Sequence, residues 1–211
     1  MLTEIQLEQA IAAFVTFFVL IDAPGVAPIF ASLTAPGGSA YARKMAMKSV
    51  FVAGLILFFF AFAGAQLLHH LGISLDAFRV AGGVLLFLIA LEMVFEKRQQ
   101  RREERAEKVR ATPEIEDVAV FPMAMPMLAG PGSIATVMLL MSRAEGTPET
   151  LVILGAMGAV MLLSLLALLA ARPLLRLMGA QVEAVITRLL GVLLAALAAQ
   201  YVMDGIKGVM A

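Results

Sequence analysis

The 211-residue chain contains no cysteine and no tryptophan, and only 15% of its residues are charged. The lack of cysteine excludes disulfides, thiolate metal sites and thiol catalysis. Acidic and basic residues balance to a formal net charge of zero, which gives no reason to expect nucleic acid as a partner. The chain also lacks a Walker loop, a zinc-ligand helix and a serine–histidine arrangement. We therefore expect no enzyme, no cofactor and no metal site.

Hydrophobic residues make up 61% of the chain, with a mean hydropathy of +0.93. An ordinary soluble domain is about 45–50% apolar and about a quarter charged. Apolar runs of roughly 20 residues recur, each long enough to cross a hydrocarbon core of about 30 Å. The sequence therefore predicts an all-α membrane protein with six transmembrane helices. The six runs are 9–31, 47–69, 77–95, 118–141, 150–171 and 185–206.

Two of these runs, the first and the fourth, are interrupted by Pro-Gly pairs. The first run contains Pro24-Gly25, and the fourth run contains Pro131-Gly132. A proline inside a helix removes a backbone hydrogen bond at a cost of about 3 kcal/mol. Because lipid cannot satisfy the freed groups, such a break is tolerated against protein or a wet cavity. Matching interruptions in two halves of a chain indicate the binding site of a transporter.

The two halves resemble each other at an offset of about 107 residues. Pro24-Gly25 falls on Pro131-Gly132, and at an offset of 108 the segment 83–86 matches 191–194. Three spans in each half give the two halves opposite orientations in the membrane, which is an inverted repeat. We predict three-helix repeats at 1–95 and 118–211 within a single membrane domain. The charged segment 96–117 is interpreted as a solvated cytoplasmic linker, with a partner-docking site as the alternative.

The distribution of charge predicts the orientation. Most of the 16 basic residues lie in the first, third and fifth loops or beside them, and basic loops mark the cytoplasmic side. Both termini are therefore expected outside. The amino terminus carries Glu4 and Glu8 and no basic residue before the first apolar run, so we expect that run to be a retained span rather than a signal peptide.

Three stretches carry a family resemblance. Residues 120–136, 78–83 and 183–191 resemble the fourth, third and sixth spans of the MarC family of integral membrane proteins, the family of SnatA-like small neutral amino acid transporters. The family's first break usually reads Asn-Pro-x-Gly-x-x-Pro, whereas this chain has Asp22 and Ala23 at the first two positions and keeps Gly25 and Pro28. The resemblance implies six spans in the bacterial inner membrane and transport of glycine, alanine or similar amino acids.

The second break is the sharper candidate for substrate binding. A helix that restarts there exposes backbone N–H groups, and its dipole favours an anion such as a substrate carboxylate. Glycines permit close approach, while Ser133 and Thr136 offer hydroxyls. The alternative is that the glycines only permit close helix packing. The predicted binding residues are Ala129, Gly130, Pro131, Gly132, Ser133 and Thr136.

Asp22 is the acid deep in the first span, and Ala23, Pro24 and Gly25 complete the predicted binding residues there. A carboxylate within a bilayer is costly unless paired or wet, which favours a functional role. It could accept an ammonium group, bind a cation or take up a proton, or it could simply hydrogen-bond the break together. Asp22 and Glu92 are the candidates for a coupling proton or sodium ion. Glu92 could equally be a solvated or paired acid at the cytoplasmic end of its span.

Four further residues are given structural or gating roles. Pro28 ends the first break, Arg79 and Arg188 begin the third and sixth spans, and Gln200 matches Glu92 at the repeat offset. Both arginines could instead extend to the nearest membrane interface.

These features predict a secondary transporter of small neutral amino acids, driven by a proton or cation gradient. The substrate would bind between the two interrupted helices and alternate between the two sides of the membrane. The alternatives are a channel or exporter for another small solute or ion, and a membrane-embedded enzyme, for which the chain offers only Asp22 with Ser133 or Thr136. The expected partners are a small amino acid and the lipid bilayer, with a homo-oligomer left open.

Overall fold

A computed structural model describes the backbone of residues 4–110 and 117–210, and the side chains of these residues other than 4–6, 110 and 174–183. All regular elements in these ranges are helical. The helices are α1 (Glu4–Ile21), α2 (Ala23–Thr34), α3 (Gly38–His70), α4 (Leu75–Val94), α5 (Lys97–Arg110), α6 (Pro131–Met141), α7 (Thr147–Leu169) and α8 (Ala171–Met210). A 3₁₀ turn, Ala35–Gly37, joins α2 to α3, and an irregular helical segment, Ala119–Leu128, precedes α6.

Several of these helices are long and apolar enough to cross a membrane. Among the described residues four runs qualify, and a fifth is obtained when the bent pair of Ala119–Leu128 and α6 is counted as one span. This is fewer than the six predicted, because the first two predicted spans fall within one apolar run, Leu7–His70. The remaining runs are Leu75–Val94, Thr147–Leu169 and Ala184–Met210.

The long run is subdivided by two backbone features. Asp22 has φ 52° and ψ 56°, a left-handed conformation that ends α1 and begins α2. Gly38, after the 3₁₀ turn, has φ 73°. A positive φ is tolerated by glycine but costly for most other residues. The run therefore consists of a broken first part, α1 with α2, and a second part, α3.

The fourth predicted span, 118–141, differs from expectation before its Pro-Gly pair. Phe121 and Met125 have extended backbone angles, with ψ of 127° and 124°. Each precedes a proline, and the residue before a proline disfavours the helical region. The segment and α6 meet at an angle of 54°. Three prolines close together, Pro122, Pro126 and Pro131, therefore break this span at several points.

The packing registers give the relative directions of the long elements. Ala10 and Phe14 of α1 share a groove with Pro148 and Val152 of α7. At the other end, Phe30 and Thr34 of α2 share a groove with Leu168 of α7. The broken pair α1–α2 therefore runs parallel to α7 along its length.

Two further registers follow in the same way. Lys48 of α3 forms an ion pair with Asp117, and Gly64 of α3 contacts Met138 of α6, so α3 runs parallel to the segment 117–141. Gly205 of α8 contacts Asp76 at the start of α4. Gly191 of α8 contacts Ala90 near the end of α4, so α4 and α8 are antiparallel.

The α4–α8 contact is reciprocal. A methyl group added at Gly83 would lie 2.9 Å from the carbonyl oxygen of Ala198, and one added at Gly191 would lie 3.1 Å from that of Ala90. Gly191 and Ala198 are each 108 positions after their counterparts, Gly83 and Ala90. The same pair of sites therefore meets twice, with the roles of the two helices exchanged. Small residues that bring backbones this close are typical of membrane helix contacts.

We predict that Gly83→Ala and Gly191→Ala each lower the free energy of unfolding by about 1–3 kcal/mol, because the added methyl overpacks the seam against backbone atoms. Gly158→Ala is the matched control, since an added methyl there meets nothing within 4 Å. Unfolding in mixed detergent–SDS micelles measures the effect. Equal stability of all three variants would contradict the close packing described.

Candidate functional site

The first break is organised by the side chain of Asp22, which is only 2% exposed. One carboxylate oxygen accepts a hydrogen bond from the Gly25 amide at 3.3 Å and so caps α2. Downstream, Pro28 lies inside α2 and leaves the carbonyl of Pro24 without its helical donor. The first break is therefore centred on Asp22, two residues before the Pro-Gly pair.

The second carboxylate oxygen of Asp22 is bound by α5. The Arg102 guanidinium donates to it at 2.7 Å, and Arg102 is 5% exposed. Within the membrane domain this is a buried ion pair between residues 80 positions apart. The predicted linker is consequently not a solvated connector over its whole length, because α5 packs inward against the first break.

The sequence contains the signal for this arrangement. Arg98 and Arg102 are four residues apart, and Ala106 and Val109, both buried, continue the same face of α5. Mixed charge along the segment obscured this amphipathic pattern. The arginines of α5 are the main candidate site residues that the sequence-based prediction omitted.

Arg98 lies beside the end of α1. Its guanidinium donates to the backbone carbonyl of Leu20 and, at 3.0 Å, to the sulfur of Met93. Loss of hydration, together with repulsion by Arg102, lowers the pKa of Arg98 to about 9, and attraction to Asp22 and Glu92 only partly opposes this. Arg98 is therefore a cation at neutral pH whose charge is incompletely compensated.

The second break restarts the chain as α6. Gly130 is the cap residue and makes no side-chain hydrogen bond, so the first amides of α6, at Gly132 and Ser133, keep free donors. A methyl group added at Gly132 would lie 2.5 Å from Ile89 and 3.3 Å from Leu20. Glycine at this position therefore lets α6 begin close to the ends of α1 and α4.

A cavity of about 320 Å³ joins these elements. Its wall is formed by the end of α1, one face of α4, four arginines of α5 and the second break. Glu92 also lines it and is paired with Arg101. The charged and second-break residues in the wall are Glu92, Arg98, Arg101, Arg102, Arg105, Gly130, Pro131, Gly132 and Ser133.

The cavity brings together part of the predicted set. Gly130 to Ser133 line it directly, and Asp22 lies behind Arg102. The predicted binding residues that do not line this cavity are Asp22, Ala23, Pro24, Gly25, Ala129 and Thr136. The Thr136 hydroxyl is fully buried and has no hydrogen-bond partner in the part of the chain that the structure describes.

The residues given gating roles lie elsewhere. Arg79 pairs with Asp76 at 2.6 Å in the first turn of α4, and Arg188 pairs with Glu96 between α4 and α5. Gln200 donates to Asp204 at 2.7 Å. None of these side chains lines the cavity.

Comparison with known proteins addresses the family. A model of the MarC family of integral membrane proteins matches residues 7–210. The chain belongs to the MarC family. It is therefore an integral membrane protein with several apolar helices, as the resemblance of residues 120–136, 78–83 and 183–191 indicated.

Three relatives illustrate how far this MarC similarity extends. A UPF0056 membrane protein of Methanocaldococcus jannaschii is 35% identical over 206 residues, covering 96% of this chain and 98% of the relative. A UPF0056 membrane protein of Archaeoglobus fulgidus is 32% identical, covering 92% and 91%. The UPF0056 membrane protein YhcE of Escherichia coli is also 32% identical, covering 93% and 91%. No solved structure matches the chain.

We predict that Arg102→Gln and Asp22→Asn each reduce the free energy of unfolding by about 3–5 kcal/mol, because each leaves a buried charge without its partner. The double variant should recover much of this loss. Arg101→Gln is the control: its side chain is 63% exposed and its pair with Glu92 should contribute under about 1 kcal/mol. Unfolding in detergent micelles gives the free energies of unfolding of the four variants. Equal losses for Arg102→Gln and Arg101→Gln would contradict a buried Asp22–Arg102 ion pair.

Proposed function

We propose that this MarC protein is a secondary transporter of small neutral amino acids, and not an enzyme, and that it works by alternating access between two inverted repeats. The observation that carries the proposal is the cavity at the second break, connected to the first break by the Asp22–Arg102 pair. Two broken helices that come together near one cavity are the usual construction of a transporter site.

The packing directions support six alternating passes. In such a topology the first and fifth spans run in the same direction, as do the second and fourth, whereas the third and sixth are opposed. The pairs α1–α2 with α7, α3 with 117–141, and α4 with α8 have these three relations. The run Leu7–His70 then makes two passes, divided at Ala35–Gly37.

The reciprocal seam supports the repeat. Under an internal two-fold relation, each contact between the third and sixth spans has a partner displaced by the repeat offset. Gly83 with Ala198 and Gly191 with Ala90 form such a pair at an offset of 108. With basic loops on the cytoplasmic side, both termini are outside the bacterial inner membrane, and the cavity beside α5 opens towards the cytoplasm.

The coupling ion acts through the carboxylates at the cavity. Asp22 and Glu92 are each paired with an arginine of α5. Protonation or binding of sodium at either carboxylate would weaken its pair and loosen α5 from the cavity. This links a proton or cation gradient to the opening of the site.

Uptake by reconstituted protein tests the proposal. Proteoliposomes should take up labelled glycine or alanine saturably, faster with an imposed proton or sodium gradient, and should exchange trapped alanine for labelled alanine. A channel, the second candidate function, would dissipate a gradient without this exchange. Absence of saturable uptake for every small amino acid would remove the substrate assignment.

Alternating access can be measured by the reactivity of an introduced cysteine, which is the single thiol because the native chain has none. We predict that Ser133→Cys reacts with a membrane-impermeant thiol reagent from the cytoplasmic side. Adding Arg102→Gln should raise the reaction rate at least several-fold, because the Asp22–Arg102 ion pair that holds α5 at the cavity is lost. Adding Arg188→Gln, outside the cavity, is the control. A cysteine at 133 that reacts equally in all three backgrounds would contradict control of access by α5.

A further inference from the structure

The cavity has an unusual excess of positive charge for a membrane site. Four guanidiniums line it, while among the described residues the carboxylates that line it or pair with these arginines are Glu92 in the wall and Asp22 behind Arg102. Arg101 and Arg102 are each paired with one of these carboxylates. The positive charges of Arg98 and Arg105 are therefore in excess. Charge of one sign inside a low-dielectric wall favours a ligand of the opposite sign.

Arg98 is the better placed of these two arginines. It is held by the Leu20 carbonyl and the Met93 sulfur, both uncharged, and forms no ion pair within the described ranges. A guanidinium has five N–H donors in a fixed fork, so donors remain for a ligand. Burial and then repulsion by Arg102 lower the pKa of Arg98, and attraction to Asp22 and Glu92 does not offset them.

The opposite wall supplies neutral donors. The amides of Gly132 and Ser133 begin α6, whose dipole places partial positive charge at this end. Ser133 lines the cavity and is 3% exposed, and its hydroxyl forms no hydrogen bond with the residues that the structure describes. This hydroxyl would therefore gain a hydrogen bond from a ligand oxygen in the cavity.

We propose that this cavity binds a small oxyanion between the Arg98 guanidinium and the amino-terminal end of α6, with Ser133 donating the further hydrogen bond. The inference rests on the proposed function in making this oxyanion the carboxylate of the transported amino acid. A carboxylate matches the fork of an arginine in a bidentate pair. Inorganic phosphate shares this chemistry and is the competing ligand.

The pairing of Glu92 with Arg101 gives the site its second selectivity. An amino acid bound by its carboxylate at Arg98 carries an ammonium group, for which Glu92 is the acid in the same wall. Arg101 is exposed and can leave Glu92 without a cost of burial. A zwitterion therefore satisfies both ends of the cavity, whereas a simple carboxylate satisfies only one.

Binding to the purified full-length protein in lipid nanodiscs tests the proposal, because it needs no transport. The probes are alanine, propionate, alaninamide and inorganic phosphate, measured by calorimetry or by ligand-dependent melting. We expect alanine and propionate to bind and alaninamide, which lacks the carboxylate, to bind at least tenfold more weakly. Phosphate binding more tightly than propionate would assign the oxyanion to a phosphate instead of a carboxylate.

Substitutions of Arg98 and of a control arginine distinguish a direct contribution of Arg98 to propionate binding from a general effect of removing a positive charge. Arg98→Gln should weaken binding of propionate about tenfold to a hundredfold, the usual range for a hydrogen bond to a charged group. Arg98→Lys, which keeps the charge but not the fork, should give an intermediate loss and serves if Arg98→Gln does not fold. Arg188→Gln, whose pair with Glu96 lies outside the cavity, should bind as the native protein does.

The outcomes are distinguishable from failure of the transport assignment. Propionate binding that depends on Arg98, without any saturable uptake of amino acids, would uphold the oxyanion site and reject the transporter. Equal binding of alanine and alaninamide would overturn the oxyanion site. So would equal affinities of Arg98→Gln and Arg188→Gln for propionate.

Discussion

The buried contact between Asp22 and Arg102 is the interaction on which the site depends. It brings a polar helix, α5, against a break between two apolar ones, and fixes α5 to the first break across 80 residues of chain. Removing two charges from water is expensive, and the arrangement is tolerable because each partner is satisfied by the other and Asp22 also caps α2. Together with the contacts of Arg98 with Leu20 and of Arg101 with Glu92, this pair holds the arginines of α5 at the cavity.

The two breaks do different work. Asp22 closes the first with its own side chain, so that little of its main chain is free for a ligand, although Pro28 leaves one carbonyl unpaired. The second break has no comparable side chain: Gly130 caps nothing, and the amides of α6 face a cavity. Under the proposed repeat, equivalent positions thus form a structural anchor in one half and the proposed ligand site in the other.

Much of the architecture could be predicted from sequence because it is encoded by local composition. Apolar length predicted the helices, and Pro24, Pro131 and their glycines marked the interrupted spans within a few residues. The placement of α5 could not be predicted in this way, because a segment of mixed charge resembles a solvated linker until a buried carboxylate is known to face it. The irregular backbone at Phe121 and Met125 was not predicted, although each of them precedes a proline. The apolar length of 118–141 indicated a regular helix on either side of Pro131-Gly132.

The seam between α4 and α8 has a geometric consequence. If the two halves are related by a rotation axis, that axis passes through the point where Gly83–Ala198 and Gly191–Ala90 are exchanged. Points on such an axis do not move when the halves exchange conformations. The α4–α8 contact would then be the pivot, and the displacement of other residues would grow with their distance from it. Two helices that meet through their backbones, with few bulky side chains between them, can also tilt against each other without changes of side-chain rotamer. Interlocked leucines would resist such a tilt.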